Sequence, residues 1–312
     1  MCLLSRDTFI SGGLAPLAVF MMLVAPSAQA ASPKTFSIVG VENEYANVAA
    51  QIGGRYVHVT AIESDPNTDP HSFEASPTIA RDLARADLVI ENGLGYDDWA
   101  DKLLAATKSQ DRKVIKVQTL LGLPDDTPNP HLWYKADTML KVAMAVEKRL
   151  AEKMPAHQAV FEKNFAQFQA AMATWSGAIS AFSKAHPNLP VAVTEPVADY
   201  LLQALGANIE TPGALEMAAM NDTDPSPQDI AKENALFDGH KVKVFLYNQQ
   251  VTDALTDNFL ARAKKNGIPV VGVYETMPTP GFNYQSWMMA ELAAIEAAVT
   301  KGQSTERLVA AK

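Results

Sequence analysis

Four polar residues stand at positions where an open α/β sheet does its chemistry, just past the ends of apolar runs. His71 lies in DPNTDPHSFEASP (65–77), His131 in NPHLWY (129–134), Glu195 at the end of VAVTEP, and Glu275 at the end of VVGVYET. Proline fixes φ and supplies no N–H, and Asp and Asn bond their own backbone, so both histidine segments read as ordered loops that present an imidazole. A lone loop histidine is ordinarily a surface residue, and a lone strand-end glutamate a cap or an ion-pair partner. Two proline-flanked histidines and two strand-end glutamates, divided evenly between the halves of the chain, are a different matter. Neutral imidazole and carboxylate form an N₂O₂ set for a divalent transition metal, or N₂O₄ if each carboxylate binds through both oxygens. Such histidines must be neutral to bind, so affinity is expected to fall as pH drops through about 6.5. Trp133, two residues after His131, is placed to report binding by fluorescence.

The other histidines invite structural readings: His58 within a strand, His157 and His186 at helix ends, His240 in a DGHK turn. The sole cysteine, Cys2, lies at the extreme N-terminus, so a mature chain would have no thiolate and any metal must be held by nitrogen and oxygen.

The elements that must position these residues follow from periodicity. FSIVGV (36–41), YVHVTAI (56–62), DLVIENG (87–93) and KVIKV (113–117) read as strands, with helices at 43–54 and 77–86, the second opening on Ser76 and Pro77. After Pro155 the large apolar residues Phe161, Phe165, Phe168, Met172, Trp175, Ile179 and Phe182 recur at alternating steps of four and three, a helix with one buried stripe that Pro187 ends. Strands at 189–196, 207–212, 241–248 and 268–276 then alternate with helices at 198–206, 226–237, 252–267 and 284–300. The expected fold is α/β, with two similar lobes, each a mainly parallel sheet flanked by helices, joined by one long rigid helix. The expected divisions are a signal peptide at 1–30, an N-terminal lobe at 31–136 carrying the histidines, a helical segment at 137–187, and a C-terminal lobe at 188–312 carrying the carboxylates.

Residues 1–30 have a polar start with Arg6, an apolar core from Leu14 to Val24, and the small-x-small site Ala28-Gln29-Ala30 before Ala31. Cys2 is not placed after that core, so no lipobox accompanies the expected cleavage, and a periplasmic, cleaved protein is expected. The formal net charge of −9 argues against a nucleic-acid or anionic-membrane partner.

The motifs DPHSFEASP (69–77), DLVIENGLGYDDW (87–99), NPHLWY (129–134), DPSPQDIA (224–231) and ETMPTPGFNYQSWM (275–288) resemble, in order, the substrate-binding proteins of zinc and manganese ABC importers, a cluster that includes metal-binding adhesins. The resemblance implies a periplasmic or surface receptor that holds one Zn2+ or Mn2+ ion between two lobes as transported ligand and delivers it to a membrane permease; a monomer is expected. By position, His71 and His131 match the family's N-lobe ligands, Glu195 a third ligand that is histidine in many zinc members, and Glu275 the C-lobe carboxylate, usually aspartate. The histidine-rich loop of many zinc importers is absent before NPH, where only LGLPDDTP stands. Two carboxylates suit manganese, whereas the Irving–Williams order favours zinc at almost any such site. Two competing readings are a hydrolase, using Glu195 and Glu275 as acid and base or a histidine-bound zinc, and a surface adhesin with a structural metal. No HExxH or GxSxG motif supports an enzyme, and none is expected.

Overall fold

The computed structural model describes residue 8 and residues 35–107, 109–221 and 223–309. The leader expected at 1–30 therefore lies outside the described residues, Thr8 apart. The first half alternates strand and helix as β1 (Phe36–Glu42), α1 (Asn43–Gly53), β2 (Val57–Glu63), α2 (Pro77–Arg85), β3 (Leu88–Glu91), α3 (Asp98–Ala106), β4 (Lys113–Lys116) and α4 (Val117–Leu121). Two helices follow, α5 (Thr138–Lys153) and α6 (Gln158–Ala185). The second half runs β5 (Pro190–Val193), α7 (Asp199–Ala204), β6 (Asn208–Ile209), α8 (Gly213–Met220), α9 (Pro227–Asp238), β7 (Val244–Asn248), α10 (Ala254–Lys265), β8 (Val270–Val273) and α11 (Tyr284–Lys301).

The strands form two four-stranded sheets, ordered β2-β1-β3-β4 and β6-β5-β7-β8. Every pairing between these strands is parallel, so the sheets are wholly rather than mainly parallel. That follows from the sequence, because β3, β7 and β8 are buried along their whole length and a strand covered on both faces reads as a continuous apolar run. Parallel strands all end at one edge, which delivers Glu195 and Glu275 to the same side of the second sheet. The tight β1–α1 connection requires Gly40, where a Cβ would lie 2.4 Å from the Ala46 nitrogen.

The long helix begins three residues later than a start at Pro155 implies. Pro155–His157 forms a 3₁₀ turn, and the α-helix proper has 28 residues, about 42 Å at 1.5 Å per residue. Six of the seven stripe residues are buried and Phe165 is half-buried. Ser76 stands at the start of α2 as expected, but its side chain makes no capping bond; Pro77 supplies the first-turn geometry instead. Among the described residues, α3, α4 and α8 have no counterpart in the sequence expectation, and the strand expected at 207–212 shrinks to two residues.

One apolar core runs through both halves. It joins Ile38, Ile52 and Trp133 to Phe161 and Trp175 of α6 and on to Leu201, Val271 and Trp287. Buried hydrogen bonds tie the halves beside it. The Tyr134 hydroxyl lies 2.8 Å from both the Tyr274 carbonyl and a Glu291 carboxyl oxygen, sharing its single proton with that pair, Tyr284 donates to the Trp133 carbonyl at 2.6 Å, and Asn43 donates to the Met277 carbonyl at 2.9 Å.

Candidate metal centre

His71 sits in a single 3₁₀ turn, Pro70–Ser72, the only regular piece of its loop among the described residues. Asp69 caps it, its Oδ1 accepting the His71 N–H at 2.8 Å, while Asp65 Oδ1 accepts from Asn67 N. The proline fixes the turn's entry and the aspartates absorb its free N–H groups, so the loop backbone that carries the imidazole is held by local chemistry. His131 is held the same way. Asn129 Oδ1 accepts from both its backbone N and its Nδ1, at 2.9 and 2.8 Å, which leaves Nε2 as the outward-facing ring atom. Asn129 in turn donates to the Pro196 carbonyl, one residue past Glu195.

The fold gathers His71, Glu195 and Glu275 into one cluster and sets His131 beside Glu275, ten residues beyond α4 rather than directly at the end of β4. His71 Nε2 lies 3.8 Å from Glu195 Oε2 and 3.5 Å from Glu275 Oε1, and His131 Nε2 lies 3.3 Å from Glu275 Oε2. His71, Glu195 and Glu275 each offer a donor atom within 4.8 Å of the others. Exposure differs sharply: the side chains of Glu195, Glu275 and His131 retain 1% or less, whereas His71 retains 23% and forms the solvent side of the site.

Burial would push the Glu275 carboxyl up, but His131 and His71 together hold it well below the usual carboxylate range. Glu195 goes the other way, raised by burial and by the Glu275 charge against the pull of His71. The His71 imidazole, which burial alone would lower, is raised to about 11 by the facing carboxylates. Glu195 Oε2 is buried and has no hydrogen-bond partner. The nearest cationic group to that oxygen is His71 Nε2 at 3.8 Å, beyond hydrogen-bond reach, so a buried oxygen without a hydrogen bond faces the site, and a cation is the partner it fits.

Three further residues shape the site, and strand-end reasoning missed them. Tyr96 donates to Glu275 Oε2 at 2.9 Å, and Asn248 Nδ2 donates to Glu275 Oε1 at 2.6 Å. Gln250 Oε1 accepts from the backbone of Glu275 and Thr276, each at 2.8 Å, and its Nε2 donates to the Thr68 carbonyl in the His71 loop. Asn248 ends β7, so the rule that found Glu195 and Glu275 could have found it. The remaining histidines lie elsewhere: His157 stacks on Tyr56, His186 packs on Phe182, His58 is exposed on β2, and His240 occupies a positive-φ turn.

The family model for the zinc-uptake complex component A, periplasmic, matches residues 38–298. The chain belongs to that family. Curated relatives include the metal ABC transporter substrate-binding lipoprotein ScbA of Streptococcus cristatus, 29% identical over 164 residues, which are 47% of this chain and 53% of that protein. The manganese-binding lipoprotein MntA of Bacillus subtilis is 24% identical over 149 residues, 46% of this chain and 48% of that protein. The chain thus spans about half the length of the curated relatives it matches. The fold is shared with the periplasmic zinc-binding protein TroA of Treponema pallidum, at TM-score 0.70 and 16% identity over 86% of this chain and 99% of that one. It is also shared with the substrate-binding protein FpvC of Pseudomonas aeruginosa solved with Mn2+, at TM-score 0.69 and 18% identity over 86% and 99%. Among the described residues, no helix is long and apolar enough to cross a membrane.

Proposed function

We propose that this chain is a periplasmic receptor that captures one divalent transition-metal ion, zinc or manganese, as cargo and delivers it to the membrane permease of an ABC importer. The ligands are His71, His131, Glu195 and Glu275, two from each half. The observation that carries this reading is the closeness of the donor atoms: His71, Glu195 and Glu275 each offer one within 4.8 Å of the others, and His131 Nε2 lies 3.3 Å from Glu275 Oε2. The donor set is nitrogen and carboxylate oxygen, which zinc and manganese both accept. Membership of the zinc-uptake family and the manganese named for its relatives support the cargo class.

The role is capture rather than catalysis. The protein acts as a monomer that binds no nucleic acid, with lobes at 31–136 and 188–312 bridged by the helical segment 137–187, and it reaches the periplasm through a leader cleaved before Ala31. Titration calorimetry on the mature chain is expected to give about one ion per chain, with His71→Ala weakening binding by roughly a hundredfold or more. Wild-type affinity in that variant overturns the ligand assignment.

A further inference from the structure

The Glu275 carboxylate is gripped from outside on both of its oxygens. Tyr96 donates to Oε2 and Asn248 to Oε1, while His131 Nε2 faces Oε2 and His71 Nε2 faces Oε1 from the inner side. An ionised carboxylate has about four acceptor sites, two on each oxygen. The tyrosine and the asparagine each occupy one, which leaves one on each oxygen directed toward an imidazole.

Neither outer donor has freedom to turn away. Asn248 Oδ1 accepts from Gln250 N at 2.9 Å and Asn248 N donates to Thr194 Oγ1 at 3.0 Å, so its amide is oriented with Nδ2 toward Glu275. The Tyr96 ring packs edge-on against Trp133 at 5.1 Å and His131 at 6.0 Å between centroids. Asn248 is fully buried and Tyr96 half-buried, around a carboxylate that is itself 1% exposed.

We infer that Tyr96 and Asn248 set the denticity of Glu275, presenting both of its oxygens to the cargo ion and so favouring an ion of high coordination number, Mn2+, relative to one that prefers four ligands, Zn2+. This rests on the receptor reading above and adds the residues that decide between its two cargoes. Because one imidazole faces each oxygen, an ion that takes both nitrogens also meets both oxygens. With Glu195 the donors then number about five or six, which carboxylate-rich manganese sites accommodate and closed tetrahedral zinc sites do not. Tyr96 and Asn248 are positioning residues; neither touches the ion.

Tyr96→Phe removes the outer donor on Oε2 and keeps the ring. Measured by chelator competition, its Mn2+ affinity is expected to fall about tenfold or more, the usual cost of losing a partner of a metal ligand. Its Zn2+ affinity is expected to change by about threefold or less, since four ligands remain. Equal losses for both ions, or none, overturn the inference. X-ray absorption at the manganese edge of the wild-type protein decides independently of whether the variant folds: a shell of about five or six N/O donors is expected, and a four-donor shell overturns the inference. If the wild type binds neither ion, the receptor reading itself fails, which is distinguishable from a wild type that binds both while Tyr96→Phe shifts neither.

Discussion

At the residue scale, the imidazole of His71 does more than offer a lone pair. Judged by residue type alone it is an ordinary histidine, binding metal above a pH of about 6.5. In the structure two carboxylates face it, and its raised value of about 11 keeps it protonated at neutral pH. In the absence of a cation, His71 is therefore itself the cation between Glu195 and Glu275, and a metal ion must displace its proton. The sign follows. The folded value lies above the ordinary one, so the ion pairs contribute stability that is fully present below about pH 6.5 and lost as pH rises toward about 11, while metal affinity climbs over the same window. At pH 8 an unshifted histidine is only about 3% protonated and would release almost nothing. Calorimetry in buffers of different ionisation enthalpy is expected to show about one proton released per ion bound at pH 8. Near-zero release would mean that the carboxylates do not raise His71. The neighbouring Trp133 ring, buried and 5.4 Å from His131 between centroids, gives the same titration an optical signal.

At the scale of elements, what was legible in the sequence was whatever a local rule determines. Four-and-three spacing locates α6, continuous apolar runs locate the strands, and strand ends locate Glu195 and Glu275 of the candidate site, because each depends on a few neighbouring residues. Gln250 was not legible, since its role depends on residues far away in the chain. It lies two residues beyond β7, yet it binds the backbone of Glu275 and Thr276 and reaches across to Thr68 in the His71 loop. It thus fastens a C-terminal strand end to an N-terminal loop. Gln250→Ala leaves two buried N–H groups without acceptors, at about 1–3 kcal/mol each. Loss of roughly 2–6 kcal/mol in denaturant unfolding is expected, together with weaker metal binding. An unchanged unfolding midpoint would show that other acceptors replace it. The α6 stripe offers a simpler measurement: Trp175→Ala empties a fully buried site against Tyr284 and is expected to cost about 3–5 kcal/mol.

At the scale of the molecule, the question is how far the halves move when an ion enters. A flexible linker would allow wide opening, but α6 packs on α1 and α5 of the first half and on α7 and α11 of the second. Its buried residues belong to a core that runs through both halves, and the Tyr134, Tyr284 and Asn43 bonds cross beside it. Opening by a large hinge rotation would break these buried bonds and expose apolar surface at about 25 cal/mol per Å². The ligand-bearing segment open to solvent is the His71 loop, exposed on one side and joined to the second half through Gln250, Thr279 and the two glutamates. Release of cargo is therefore expected to proceed by movement of that loop, with the core intact. Small-angle scattering should show a radius of gyration that changes by less than about 1 Å between metal-free and metal-loaded protein. Hydrogen exchange should fall on loading in residues 64–73 and remain unchanged in α6. A larger change in radius, or faster exchange in α6 without metal, would place the motion in the helix that joins the lobes.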